Sequence, residues 1–327
     1  MISVTYLDDL IKASSDGVVA AALADGRGPF DRAAWWQGLA AHCGMAPVYL
    51  LATGEDGAAL LALEERGGAI RTAANWYSFR WRPLVSPGGD AAALLGAAAS
   101  ALAARCWRVT LDPVPDECGS AEALAAAFRE AGWRVRIEQH DVNHVLHVRG
   151  RSYGEYLAEL PGQLRTTLKR KAGKVAVTLH DRFDEAAWAA YDEIYAASWK
   201  PLEGSPAFLR DFARAEGTEG RLRMGLAHID GRAVAAQFWT VEGETAYIHK
   251  LAHREDAKAQ SPGTVLSAAL FERVIDGDGV SLVDFGTGDN PYKRDWMNDI
   301  RPRFRIDALW PRSPRSWPRL TRRALRG

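Results

Sequence analysis

The chain has 327 residues, 47% hydrophobic and 25% charged, with 41 basic and 41 acidic side chains that cancel. That is enough for two ordinary domains with sizeable cores, and it excludes a global field that recruits nucleic acid or membrane. Cys43, Cys106 and Cys118 lack metal-ligand spacing, the start lacks signal-peptide character, and the apolar stretch Ala91–Ala104 is too short to span a bilayer; a soluble cytoplasmic protein without disulfides is expected.

Taken in order, the sequence predicts a short strand at Val4–Leu7 and a helix over Asp31–His42 with Asp31 as its N-cap. Val48–Ala52 and Ala58–Leu63 form a hairpin around Gly54-Glu55-Asp56-Gly57, and Ile70–Phe79 is a further strand. Ser86-Pro87-Gly88-Gly89 breaks the chain before an Ala/Leu helix, Ala91–Arg105. Trp107–Leu111 is a strand, Ala121–Ala131 a helix, and Trp133–Ile137 and Val142–Val148 are two more strands. The order then repeats. Val175–His180 is a strand, and Glu185–Trp199 and Pro206–Ala215 are helices. Leu222–Ile229 and Ala233–Val241 form a hairpin, and Thr245–His253 is a strand. Gln260–Thr264 turns into a helix, Val265–Ile275. Val280–Phe285 and Phe304–Trp310 close the second half.

The repeat extends to residues: Ser86-Pro87-Gly88 matches Ser261-Pro262-Gly263, and each precedes a helix and then a strand ending in aspartate, Asp112 or Asp284. Two related α/β domains are expected, residues 1–149 and 150–327, with mixed central sheets flanked by helices. The first copy is worn and carries little reactive chemistry. The basic tail, Pro311–Gly327, is expected to be disordered or to pack on the first domain, with contact to an anionic membrane surface as the alternative.

The candidate chemistry is in the second copy. Gln260, Ser261, Gly263, Thr264 and Val265 open a helix after a strand. Pro262 has no N–H, glycine allows close approach, and the amides of Gly263, Thr264 and Val265 can meet a phosphate. Asp284-Phe285-Gly286-Thr287-Gly288-Asp289 is a loop near a ligand; no His-Arg-Asp loop supports a kinase, and no third glycine supports a dinucleotide fold. In Tyr292-Lys293-Arg294-Asp295-Trp296, Lys293 can stabilise an oxyanion and Tyr292 can return a proton. Gln237, Trp239, His249, Lys250, Asp284 and Trp296 are candidates to line a substrate cleft. Strand alternation puts His249 and His253 on one face and Lys250 on the other. At ~3.3 Å per residue the two histidines stand ~13 Å apart, too far to share a metal, and none is expected. His140, His144 and His147 read as ordinary strand residues. Arg165–Lys174 is a basic run, either a solvated helix face or a site for the phosphates of a long donor.

These motifs resemble, in order, the GNAT-type acetyltransferases of the CelD group, which are linked with cellulose or exopolysaccharide loci. The residues that carry the likeness are Gly231–Trp239, Tyr247-Ile248-His249-Lys250, Ser261-Pro262-Gly263, Asp284–Asp289, Tyr292-Lys293 and Trp296. The resemblance covers about 150–310 and implies tandem GNAT-like (acyl-CoA N-acyltransferase) domains related to the Fem-type peptidyltransferases, which use aminoacyl-tRNA. Tyr292-Lys293-Arg294-Asp295-Trp296 is similar to the Fem aromatic-Lys-x-x-aromatic motif, which implies Lys293 near the transferred acyl group. Gln260 and Gly263 fit the coenzyme A loop, whereas Val265 departs from it. The resemblance thus implies an acyltransferase that takes acetyl-CoA or another acyl-thioester, with Lys293, Tyr292 and Asp289 as catalytic residues. Its acceptor is a small molecule or polymer. An acyl-carrier protein or tRNA is the other donor partner, no DNA is involved, and a non-catalytic scaffold is the alternative.

Overall fold

The computed structural model describes residues 1–325. The chain forms two compact units, Met1–Val142 with everything from Arg301 onward, and Asn143–Ile300. The first holds β1 (Ser3–Leu7), α1 (Leu10–Ala13), α2 (Gly17–Leu23), α3 (Ala33–His42), β2 (Pro47–Gly54), β3 (Gly57–Arg66), β4 (Ala69–Thr72), β5 (Leu84–Val85), α4 (Ala91–Arg105), β6 (Arg108–Pro115), α5 (Ser120–Glu130) and the start of β7 (Arg134–His147). The second holds the end of β7, then α6 (Tyr153–Glu159), α7 (Gly162–Lys171), β8 (Ala176–His180), α8 (Glu185–Ala196), α9 (Pro206–Thr218), β9 (Leu222–Ile229), β10 (Arg232–Glu242), β11 (Thr245–His253), α10 (Pro262–Glu272), β12 (Leu282–Thr287) and α11 (Pro291–Arg294). Then β13 (Asp299–Leu309) returns the chain to the first unit, which α12 (Trp317–Ala324) ends. A division at 149/150 assigns β13 to the second domain; by contacts it pairs with β6 in the first.

Both units follow one plan. In the first, β2, β3 and β4 form an antiparallel meander, and β4 then pairs in parallel with β6. In the second, β9, β10 and β11 do the same, and β11 pairs in parallel with β12. Parallel neighbours need a crossover, which α4 and α10 supply. Each crossover helix is rich in Ala and Leu and buries its apolar face on its own sheet. In the first unit Leu94, Leu95, Ala98 and Leu102 meet Leu50, Leu61 and Val109. In the second, Leu266, Leu270 and Phe271 meet Ala227, Ala235 and Trp239. Gly225 on β9 is needed for this approach, because a Cβ there would stand 2.6 Å from Leu266 Cδ1.

Three sequence expectations change. Asp31 is not an N-cap; it is buried, its carboxylate takes Arg80 Nη1 and Nη2 at 3.0 and 2.8 Å, and the helix starts two residues later. The strand expected over Ile70–Phe79 stops at Thr72, after which Ser78 and Arg80 turn inward to buried polar partners. The two strands expected on either side of 138–141 are one, β7, because polar side chains do not by themselves interrupt a backbone ladder. The Ser-Pro-Gly matches also differ in placement. Ser86 Oγ accepts from the Ala58 amide at 2.9 Å and Asp90 caps α4, whereas Pro262 is itself the first residue of α10.

Candidate active site

The site begins where a ladder ends. Between β11 and β12 the parallel pairs are Thr245–Leu282, Ala246–Val283 and Tyr247–Asp284; β11 runs on to His253 and β12 to Thr287 without further pairing. Each strand carries a bulge just past that point. On β11, Ile248 pairs with Trp239 and Lys250 with Phe238, so His249 is the extra residue. On β12, the register against β7 shifts between Asp284 and Thr287. Bulges bend and twist a strand locally, and two beside each other let parallel neighbours part.

Asp284 builds the second bulge. Its buried carboxylate accepts from Asn143 Nδ2 at 3.2 and 3.1 Å and from the Gly286 amide at 2.8 Å, and Gly286 has φ 68°. The left-handed backbone is why a glycine follows Asp284-Phe285.

The extra residue on β11 overturns the alternation expected there. His249 and Lys250 both face α8 and α9: the His249 ring lies 5.1 Å from Phe212 and 5.0 Å from Phe238, with Nε2 2.8 Å from Thr240 Oγ1. Lys250 Nζ is 2.8 Å from Glu203 Oε2 and 6.0 Å from the Tyr195 ring. His253 instead stacks on Trp199 at 4.3 Å, beside Gly263.

At the start of α10, Gln260 ends a short 3-10 turn and Ser261 takes a left-handed conformation, φ 54° and ψ 44°. The amides of Thr264 and Val265 both turn back to the Ser261 carbonyl at 3.2 Å, and Val265 is buried. Of the three amides expected to face a ligand, Gly263 remains, because the first helical turn takes the other two. The turn is tied to the sheet by Gln237, which is fully buried. Its Nε2 donates to the Gly263 carbonyl at 3.0 Å and to Ser267 Oγ at 2.7 Å, and its Oε1 accepts from Trp239 Nε1 at 2.9 Å. Ser267 Oγ continues the chain to the Tyr292 hydroxyl at 2.9 Å.

After the β12 bulge, Asn290 caps α11 by accepting from the Tyr292 amide at 2.9 Å. Burial pushes the Tyr292 hydroxyl up to about 12 in pKa, so it stays protonated at neutral pH. Lys293 Nζ donates to the carbonyls of Gly286 at 3.0 Å and Thr287 at 2.5 Å and lies 5.2 Å from the Phe285 ring. Asp289 is held by Arg294 Nε at 3.0 Å and meets His144 Nε2 at 3.0 Å. Arg294, and after it His144, keep its carboxyl below the usual carboxylate range. Trp296 is buried and stacks on Phe271 at 4.9 Å, while Tyr156 donates to its carbonyl. It anchors the core, as does Trp239, and neither lines an open cleft.

Two contributors escape a sequence reading. His144 is almost fully buried against Asp289, although nothing in its strand sequence separates it from His140 and His147. Lys200, in the loop after α8, is pushed down to about 8 by burial and then by Lys250, while burial and Glu203 push Tyr195 up to about 12.

A family profile described as "Acetyltransferase (GNAT) domain" matches residues 162–294, inside the second unit. That stretch has the GNAT fold. The fold agrees with solved structures at low identity. A structure described as FemX is similar with TM-score 0.63 and 12% identity, over 88% of this chain and 94% of that one. L-PGS from Bacillus licheniformis gives 0.60 and 12%, over 94% and 95%. A tandem GNAT protein from the clavulanic acid biosynthesis pathway gives 0.55 and 15%, over 94% and 98%. No curated protein matches the sequence. Around the GNAT domain and elsewhere among the described residues, no helix is long and apolar enough to cross a membrane, and no His, Cys, Asp and Glu cluster could hold a metal ion.

Proposed function

We propose that the GNAT domain transfers an acyl group, acetyl in the first instance, from a thioester such as acetyl-CoA to an amine or hydroxyl. One observation carries this reading: the ladder between β11 and β12 ends beside the Gly263 end of α10. Unpaired strand edges accept an extended amide-bearing chain as another strand would, and a helix start favours its phosphates. The donor then lies between the strands, its phosphates at Gln260–Val265 and its thioester toward Phe285 and Tyr292.

The acceptor's lone pair attacks the thioester carbonyl, a carbon–nitrogen or carbon–oxygen bond forms, and the carbon–sulfur bond breaks. The acceptor loses its proton to water, and the Tyr292 hydroxyl protonates the departing thiolate before solvent restores it. Lys293 fixes the Gly286–Thr287 carbonyls and adds positive charge near the developing oxyanion. Asp289, charged and held by Arg294, orients the acceptor. The resemblance to CelD-type enzymes favours an acceptor from polysaccharide or envelope metabolism.

A second donor, aminoacyl-tRNA, is supported by Lys171, whose Nζ donates to the Ala259 carbonyl at 3.0 Å and so brings the basic end of α7 to the donor turn. Calorimetric titration with acetyl-CoA and with CoA tests the first reading, in parallel with Gly263→Asp. A Cβ at Gly263 stands 3.6 Å from His253 Nδ1, so the variant fits while placing a negative charge at the helix start. Micromolar binding that the variant abolishes is expected. No binding, with both proteins folded, rejects free acyl-CoA and turns attention to carrier proteins and aminoacyl-tRNA. Binding without transfer to any acceptor marks a scaffold.

A further inference from the structure

Helices α6, α7 and α10 enclose a groove of about 560 Å³ within the second unit. Its origin is in the sequence. Its lining includes Gly154 and Ala158 on α6, Ala172 just past α7, and Ala268 and Ala269 on α10, small side chains that leave the space between the helices unfilled. Larger apolar residues, Leu157, Leu168 and Val265, form the rest of the wall. Two cations, Arg165 and Lys169, stand one turn apart on α7 and also line it, with Glu272 and Tyr153 on the α10 and α6 sides. Both cations are exposed, and neither has a hydrogen-bond or ion-pair partner among the described residues. A mostly apolar groove whose rim carries two cations against one carboxylate, Glu272, keeps a net positive charge and is complementary to an apolar chain ending in an anion.

We propose that this groove binds a single-chain carboxylate amphiphile, a free fatty acid, with its chain along the small residues and its carboxylate at Arg165 and Lys169. Charge complementarity selects this occupant. A cationic or neutral amphiphile gains the same apolar contact and loses the two ion pairs. A second copy of the chain would have to bring an acidic apolar ridge. The groove shares Val265 with the donor turn, but that turn's side-chain contacts run through Gln237 and Ser267 on another face of α10, and fatty-acid binding is read without any donor or acceptor present.

The test is calorimetric titration of the full chain with octanoate, decanoate and laurate below their micellar concentrations, with dodecyltrimethylammonium as the cationic control. Saturable binding is expected to tighten about four-fold per added methylene while the chain stays in the groove. Laurate is expected to bind at least about tenfold tighter than the cationic control and to weaken with salt. Arg165→Glu with Lys169→Glu should remove the preference for the anion. Ala158→Trp, at an exposed position, and Ala269→Trp, at a half-buried one, should each remove chain-length dependence by filling the groove; circular dichroism checks that both fold. No saturable laurate binding overturns the proposal. So does laurate binding that both filled-groove variants retain, or binding only to vesicles of phosphatidylglycerol and phosphatidylcholine, which would make α7 a membrane-facing surface instead.

Discussion

Gln237 Nε2, on β10, donates to the carbonyl oxygen of Gly263 at 3.0 Å, so a buried strand residue holds the first turn of α10 in place. The same amide serves Ser267 and, through its oxygen, Trp239. Gln237→Leu keeps the volume and strands these partners inside the protein. A loss of about 1–3 kcal/mol in urea denaturation is expected, from buried polar groups left without partners. Donor affinity should fall as well. Unchanged stability would mean that the turn holds itself.

Lys293 ties α11 to the β12 bulge through two carbonyls. Lys293→Ala removes both bonds and the charge, yet α11 keeps its Asn290 cap and Trp296 stays in the core. A folded protein with transfer reduced about tenfold or more is expected. Lys293→Arg should recover part of it. Equal turnover in Lys293→Ala removes this residue from the mechanism.

Asp289 is a carboxylate whose proton affinity Arg294 and His144 depress. Such a group is a weak base near neutral pH. Loss of an essential base would cost about 10²–10⁴-fold in rate. Asp289→Asn keeps hydrogen-bonding atoms for both neighbours, and its kcat/KM is expected to stay within about tenfold of the native protein. A larger drop, with loss of an acid limb from the pH profile, would make Asp289 the base.

Lys200 is depressed from 10.5 to about 8 by burial, then by Lys250, with Glu203 opposing and Lys293 adding to the depression. Between about 8 and 10.5 the unfolded chain therefore binds more protons at this site than the folded one, and the contribution to stability rises with pH. Below about 8 both states are protonated and the full cost of the buried charge is present. Lys200→Met removes that cost. The variant should be more stable than the native protein at pH 7, with the gap narrowing toward pH 10, as read by urea denaturation at pH 7, 8, 9 and 10. A gap that stays constant would show that Lys200 titrates at its ordinary value.

Much of the fold is legible in residue order. The helix Ala91–Arg105 and the strand Thr245–His253 have the expected bounds, because an unbroken Ala/Leu run and a strand closed by turn residues leave little choice. Strands β9 and β10 follow the same way from the Asp230-Gly231 turn. Errors came where tertiary partners override local pattern. Asp31 has the chemistry of a cap, but Arg80, distant in sequence, takes its carboxylate. Ile70–Phe79 reads as one strand, but Ser78 and Arg80 find buried partners beyond Thr72.

For the candidate site, sequence alone located the Gln260–Val265 turn, the glycine loop after Asp284 and the Tyr292-Lys293 pair, since glycine, proline and capping residues act over a few positions. It could not decide which way β11 presents its side chains. A single extra residue at His249 moves Lys250 to the face that alternation denied it, and only the pairing partners on β10 reveal that shift. Nor could it find His144 beside Asp289 or Ser267 beside Tyr292, contacts between segments remote in the chain. Local backbone preference is written in neighbouring residues, whereas register and burial depend on what packs across the sheet, and that is settled only once the tertiary structure forms.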